Sequence, residues 1–443
     1  MKFFKILILA FIMTGVITIN AQEKITLRQA ITTALHQNTS VIKSSNSLEI
    51  SNAAVKNAYG NFLPSLSLGS SWSWQRVSNN KVTNQLDYLG NTQNVSQSET
   101  DSRSYGISLG GNVTLFDGLA NISSLNQKKN DLQSAKYDLD KLRQDVSLQT
   151  VNLFITITNN EKILKFQEED LKYNKDMLNK VKEMFDLRMK ANVDLYAQEF
   201  QTSNAQLSYL QAKSNYEKSK ISLLNYLSKD ILQDYTFEMD STYLPETIKN
   251  IDDINALYKT ALTNRNDYQS SKLKFENSEY QLTSARGGYL PSLSGNYGFS
   301  TSATQPKDLL SRKVYSFGLS LSLPIFSRWS TEFATQSAQV QIKNTNEDLN
   351  ALERQIKSDL KNAVLDLQTA ELQLQVTKAA LKSALETWQI KRDSYTLGSA
   401  TFIDQQQSYR DYVQATNNAI ASESNYILKQ FGLLSALGLL KTE

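Results

Sequence analysis

The sequence predicts an exported α+β membrane protein. It reads as a tandem repeat in which each copy supplies two β-strands of bilayer-crossing length and a very long helical hairpin. Three observations carry this expectation. Glycine and proline are gathered into two windows. Apolar residues alternate inside those windows and recur every three or four positions outside them. The same order of motifs appears twice along the chain.

Composition narrows the functional classes first. The 443 residues carry 47 Lys plus Arg against 44 Asp plus Glu, a net charge of +3. No basic or acidic excess points to nucleic acid. The absence of cysteine excludes disulfide scaffolds, zinc ribbons, iron–sulfur sites and thiol nucleophiles. A single histidine, His36, leaves no site that needs two imidazoles and no nucleophile–base set, so neither an enzyme nor a cofactor or metal site is expected. Six methionines without cysteine argue against a soft-metal relay. Apolar residues make up 40%, lean for a globule of this length and suited to extended structure with much wetted surface.

Residues 1–21, MKFFKILILAFIMTGVITINA, read as a signal peptide. Lys2 and Lys5 form the basic end, Ile6 to Val16 the short apolar stretch, and Ala21 the small residue before a mature start at Gln22. No cysteine follows, so a lipid anchor is not expected. No later run reaches the roughly 18 apolar residues of a spanning helix, so any membrane crossing must use strands.

Seven of the 16 glycines lie between Gly60 and Gly118 and five between Gly287 and Gly318. In the first window Leu66, Leu68, Trp72 and Trp74 share one parity, opposite Ser65, Ser67, Gly69, Ser71 and Ser73. Next, Tyr105, Ile107, Leu109, Val113 and Leu115 alternate with Ser104, Gly106, Ser108, Gly110, Asn112 and Thr114. The second window repeats the pattern with Leu293, Tyr297 and Phe299, then with Tyr315, Phe317, Leu319, Leu321 and Leu323. One face is oily and the other small and polar, which is the pattern of strands. The polar run Asn79 to Arg103 reads as an exposed loop.

Between the windows the chain is helical. Leu132, Ala135, Leu139, Leu142, Val146, Val151 and Phe154 form one stripe, and Leu349, Leu352, Ile356, Leu360, Val364, Leu367, Ala370, Leu374, Leu381, Leu385 and Trp388 another. The seam is narrow, as in coiled coils. Leu119–Leu187 and Trp329–Leu397 would each reach about 104 Å if unbroken. The acidic run Glu168-Glu169-Asp170 reads as solvated charge, and His36 as the end of a short first helix.

The duplication is explicit. Phe62-Leu63-Pro64-Ser65-Leu66-Ser67 recurs as Tyr289-Leu290-Pro291-Ser292-Leu293-Ser294, an offset of 227. Leu187/Leu397, Asp194/Asp404, Tyr216/Tyr426 and Leu224/Leu434 share an offset of 210. The expected domains are the signal peptide 1–21, a first repeat 22–228, a linker 229–250, a second repeat 251–438 and a tail 439–443. Each repeat reads helix, strand, strand, long helix, turn, helix. Four strands cannot close a membrane sheet, whereas two copies would give eight strands and three would give twelve.

These features together resemble the TolC-like outer-membrane efflux proteins. The resemblance rests on the signal peptide, the tandem repeat, Leu-Pro-Ser-Leu after a helix, the glycine-poor long helices, and Tyr395-x-x-Gly398 leading into Asp404. It covers essentially the whole mature chain. It implies a homotrimer in the outer membrane of a Gram-negative bacterium, with a 12-stranded barrel in the lipid continuing into a long α-helical barrel in the periplasm. It also implies a periplasmic adaptor (a membrane fusion protein), an inner-membrane pump of RND or ABC type, and export of small molecules or of polypeptides as in type I secretion. The cargo and the pump class stay open.

The resemblance also assigns roles to residues. Arg188, Ala191, Gly398, Ser399 and Ala400 fall in the periplasmic tip turns where the adaptor docks. Asp404 matches a carboxylate ring at the pore entrance, and Gln407 holds the second ring position, where a weaker ring follows. Asp194 and Tyr395 match bonds that close the tip. The answering family arginine is Ala400 here, and Lys190, at the equivalent place in the other copy, is the candidate substitute. Asp194 and Asp404 equally suit helix N-caps, and Tyr395 equally suits packing. Trp72, Trp74, Tyr297 and Tyr315 suit a membrane-interface belt. A trimeric coiled-coil scaffold without a lumen is the alternative, and bilayer conductance separates the two.

Overall fold

The computed structural model describes residues 23–78, 82–86, 88, 90, 92–96, 100–239, 251 and 253–441. The expected signal peptide, the Pro245 stretch of the linker and the last two residues lie outside these.

Sixteen α-helices and β-strands follow in order among the described residues. They are β1 (Glu23–Thr26), α1 (Leu27–Gln37), α2 (Thr39–Gly60), β2 (Ser67–Val77), β3 (Val82–Leu86), β4 (Thr92–Ser96) and β5 (Thr100–Asp117). Then come α3 (Ala120–Asp186), α4 (Asn192–Tyr226), β6 (Tyr235–Glu238), α5 (Ile254–Asn264) and α6 (Asn266–Gly287). The last are β7 (Ser292–Ala303), β8 (Val314–Ser322), α7 (Ser330–Thr396) and α8 (Phe402–Ala436). The helices pair by length: α1 and α5 have 11 residues, α2 and α6 have 22, α3 and α7 have 67, α4 and α8 have 35. Left-handed backbone also recurs in pairs 210 positions apart: Gly118 and Arg328, Leu119 and Trp329, Arg188 and Gly398, Ser228 and Gly438. No helix is long and apolar enough to cross a membrane among the described residues.

The chain forms two compact units, and each draws on both halves of the sequence. One comprises Asn46–Tyr137 and Tyr268–Leu352. Its centre is an antiparallel sheet in the order β2-β5-β7-β8. The register gathers each parity onto one face. Leu68, Leu109, Phe299 and Tyr315 form a single row across all four strands. Ser67, Gly110, Gly298 and Ser316 form a row of the opposite face. The apolar face is bare in the single chain, with Leu68, Tyr315 and Phe317 at 75%, 77% and 79% exposure. Among the described residues, the outer edges of β2 and β8 carry no strand.

Three details depart from the sequence expectation. The run expected as a loop from Asn79 holds the ladder of β3 with β4, and β5 begins within it, at Thr100. The β5–β7 register slips between Thr114 and Phe116, a bulge that places Phe116 opposite Leu293. The simple alternation through Leu115 therefore ends one residue early. At the strand-to-helix corner Gly118 (φ +68°) meets Gly287, where a Cβ on either residue would lie 2.3 or 2.1 Å from the other's carbonyl oxygen.

The second unit comprises the described parts of Met1–Ser45, Asp138–Asp267 and Glu353–Glu443. Its core is the helical stripe anticipated from sequence: Leu139, Val146, Val151 and Phe154 on α3, and Ile356, Leu360, Val364 and Ala370 on α7, are all buried. Leu223, Leu224, Phe431 and Leu433 complete it. β1 pairs in parallel with β6, an element that four-residue strands conceal in sequence. A capping box between Thr26 and Gln29 starts α1, and His36 lies in its last turn.

The helix α4 carries two seams. Gln198, Ala205 and Ala212 repeat every seven residues on the buried side, where small residues admit close approach. Val193, Tyr196, Phe200, Leu207 and Leu210 occupy heptad positions on the other side, interrupted by Ser203, and are all exposed. That second seam has the heptad spacing that seeks a partner helix.

Candidate functional site

The two helix-to-helix turns are built alike. After α3, Arg188 takes φ 58°, and Met189 N donates to Met184 O at 2.8 Å. After α7, Gly398 takes φ +75°, and Ser399 N donates to Ser394 O at 2.8 Å. Both are Schellman closures, in which a left-handed residue lets the chain return on the helix end. Arg188 thus makes the turn that glycine makes in the second copy. The Ser399 hydroxyl donates to Ser394 O at 3.1 Å, and Ala400 N donates to the same oxygen at 3.3 Å. Ala191 is the N-cap of α4 without a side-chain cap, whereas Thr401 caps α8.

Lys190 joins the turns. Its Nζ lies 3.3 Å from Asp194 Oδ2, 5.0 Å from the Tyr395 ring centroid and 5.1 Å from that of Phe402. Burial alone would lower the lysine pKa. The hydrogen bond to Tyr395 and the charges of Tyr395 and Asp194 outweigh it and raise the pKa above the ordinary lysine value. The ammonium is therefore fixed in its charged form. Tyr395 also packs on Phe402 at 5.8 Å between centroids.

Asp404 is the third residue of α8, not its N-cap. Its Oδ2 accepts from Thr401 N at 3.2 Å, while its own N–H donates to Thr401 Oγ1 at 3.1 Å. These bonds from the Thr401 side chain and backbone hold its exposed carboxyl below the usual carboxylate range. Gln407, one turn on, donates to Asp411 Oδ1 at 2.8 Å and accepts from Arg410 at 2.6 Å. In the sheet unit Trp72, Trp74 and Tyr315 are exposed, and the Tyr297 hydroxyl donates to Ser65 O.

The acidic run on α3 is not uniformly solvated, which corrects the sequence reading. Glu168 and Glu169 are exposed, but Asp170 is only 7% exposed. Tyr409 OH donates to its Oδ1 at 2.7 Å and Asn174 Nδ2 at 2.9 Å. Burial raises the Asp170 pKa, and those two hydrogen bonds pull it partly back. Burial also raises the Tyr409 pKa, with the neighbouring Asp170 charge and hydrogen bond adding to it. Around them Gln405 Nε2 donates to Tyr173 OH at 3.3 Å and Gln406 Nε2 to Gln198 Oε1 at 3.0 Å. Trp388 stacks on Tyr412 at 5.1 Å and meets Tyr173 edge-on at 5.8 Å. The sequence signal for this cluster was slight: an Asp and an Asn one helical turn apart, facing a tyrosine 239 positions away.

A sheet with one oily face, helices in equal-length pairs and two matched turns define a duplicated chain with a β unit and a long-helix unit. The family comparison agrees. The outer membrane efflux protein family matches residues 30–229 and 257–439, and the chain belongs to that family. This makes it an outer-membrane protein of a Gram-negative cell with its helical part in the periplasm, from a family of channels rather than enzymes. It is 21% identical over 344 residues to outer membrane protein TolC of Escherichia coli, a match covering 72% of this chain and 66% of that protein's length, just under two thirds. The crystal structure of VceC from Vibrio cholerae shares the fold, with a TM-score of 0.79 at 15% identity, covering 93% of this chain and 96% of that one. The CmeC outer membrane channel of Campylobacter jejuni matches with a TM-score of 0.79 at 18% identity, covering 93% and 85%.

Proposed function

We propose that three copies of the chain form an export channel: twelve strands close a barrel in the outer membrane, and the helices continue it as a hollow cylinder. The observation that carries this reading is the incompleteness of the single chain. Among the described residues the sheet has two unpaired edges and a bare apolar face. A membrane sheet cannot keep open edges, because each unpaired backbone group in hydrocarbon costs several kcal/mol. The uncovered heptad seam on α4 makes the same demand of a neighbouring helix. The paired helix lengths support the two-repeat division at 22–228 and 251–438.

In this reading Lys190, Asp194 and Tyr395 latch the periplasmic tip, with Lys190 in the role of the arginine absent at Ala400. Asp404 supplies a carboxylate ring at the entrance, made weaker by Gln407. The turn residues Arg188, Ala191, Gly398, Ser399 and Ala400 meet a periplasmic adaptor, which couples the conduit to an inner-membrane pump of RND or ABC type. Trp72, Trp74, Tyr297 and Tyr315 border the lipid. Cargo, whether small molecules or polypeptides, diffuses through once the tip opens, and the pump supplies the energy.

The test is single-channel recording in a planar bilayer. The mature protein should give discrete conductance steps with a preference for cations. A protein that assembles and binds the membrane without conducting would be a scaffold, and the channel reading would fail.

A further inference from the structure

The cluster around Asp170 borders a cavity of about 320 Å³ walled by α3, α4 and α8. Apart from Phe402, its residues belong neither to the turn contacts nor to the sheet, and the export reading leaves them unused. Asp170 is a buried carboxylate with an unusual lack of compensation. Both hydrogen bonds to its side chain arrive at Oδ1, leaving Oδ2 without one, and no lysine or arginine among the described residues is within ion-pair distance. A buried carboxylate is ordinarily paired with a cation. The one basic side chain on the cavity wall, Arg410, is exposed and bonded to Gln407.

The rest of the wall suits a cation that is not a metal. Tyr173 and Tyr409 place their rings 4.1 Å apart beside the carboxylate, and Phe402 lies on the same wall. Gln405 is 2% exposed, and its Oε1 has no hydrogen-bond partner. No group of three His, Cys, Asp or Glu side chains lies together among the described residues, so a hard divalent ion lacks its usual ligand set. Aromatic rings beside one carboxylate attract an ammonium group, and the volume is at the lower end of small-molecule sites.

We propose that this cavity binds a small organic ammonium ion, with its charge against Asp170, its apolar part against Tyr173, Tyr409 and Phe402, and a hydrogen bond to Gln405 Oε1. An ion seated there touches α3 and α8 together and so ties the two helical hairpins to each other. This site shares only Phe402 with the Lys190 contact and does not include the entrance carboxylate, and it stands or falls independently of conductance.

The test is calorimetric titration of the full mature protein in detergent at neutral pH with benzylammonium, and with neutral benzyl alcohol as its counterpart. One benzylammonium per chain should bind saturably, and benzyl alcohol should not. Asp170→Asn should weaken binding roughly thirtyfold or more, the usual consequence of removing one partner of a buried charge pair. Ser208→Met, which fills the cavity from α4 and leaves Asp170 intact, should also abolish binding, and it decides the matter if Asp170→Asn fails to fold. No saturable benzylammonium binding at millimolar concentration would overturn the proposal. So would equal binding of benzyl alcohol, undiminished binding by either variant, or displacement by calcium.

Discussion

Lys190 Nζ stands 5.0 Å from the centre of the Tyr395 ring, bridging a turn in the first half of the sequence to a helix end in the second. With Asp194 at 3.3 Å it forms a three-part contact from a side chain that neither turn needs for its own closure. A partly buried cation–π contact and an ion pair together contribute about 1–2 kcal/mol. Lys190→Met should therefore favour the open tip by about 5- to 30-fold in population, read as a higher open probability in bilayer recordings. The Lys190 pKa is raised, so the stabilisation is fully present below the ordinary lysine value and is lost only as pH rises through the folded value. Open probability in the unmodified protein should not respond to lysine deprotonation between pH 6 and 9. An unchanged open probability in Lys190→Met refutes the latch.

Asp404 should keep its charge in mild acid. Its folded pKa is depressed by the bonds from Thr401, so the stabilisation they give is present above the ordinary aspartate value and lost only as pH falls through the folded one. Cation preference should stay flat from pH 8 to pH 5. Asp404→Asn should lower it, measured as a reversal-potential shift in a salt gradient.

Asp170 behaves oppositely. Burial raises its pKa, so the folded state binds more protons than the unfolded state between the ordinary aspartate value and the folded one. Stability contributed by this group falls as pH rises through that window. The other groups about it are Tyr409, Tyr173 and Arg410, with Arg392 acting on Tyr173. Asp170→Asn should stabilise the protein at pH 7 by about 1 kcal/mol, since it removes a buried charge and keeps an acceptor for Tyr409. Thermal unfolding of the two proteins should converge near pH 4. A lower melting temperature for the variant at pH 7 contradicts this.

The matched turns allow a clean backbone experiment. A Cβ at Gly398 would meet nothing within 4 Å, so Gly398→Ala tests only the left-handed φ of +75°. It should cost about 1 kcal/mol, and Arg188→Gly at φ 58° should gain a similar amount. Amide hydrogen exchange at the two turns would read both.

In the sheet unit, Gly287→Ala has no room to be accommodated, because its Cβ would lie 2.1 Å from Gly118 O. The strand-to-helix corner must shift, with a loss of roughly 3 kcal/mol. Reduced yield of membrane-inserted protein, assayed by heat-modifiable gel mobility, is the expected readout.

Much of the architecture was legible because its signals are long. Sixty-seven-residue helices display a stripe many times over, and a parity pattern survives across strands such as β2 and β7. The helix-end turns were legible from Gly398, yet Arg188 adopts the same left-handed conformation without announcing it. β1 and β6 escaped because four residues carry no period and the paired residues lie 212 positions apart. The β3–β4 ladder escaped because Asn, Gln, Thr and Ser read as loop when no apolar face marks the register. Asp170 was misread because burial of one acid in a run of three depends on the facing helix, where Tyr409 supplies the donor. Of the candidate site, the sequence singled out Lys190, Asp194, Tyr395 and Asp404 one by one. Only the coordinates bring Lys190, Asp194, Tyr395 and Phe402 into one contact.

In the trimeric reading a lone chain is an unfinished wall. The most direct measurement is the molar mass of the detergent-solubilised mature protein by light scattering, corrected for bound detergent. A mass of three chains that persists on dilution is expected. A stable, folded monomer would contradict it.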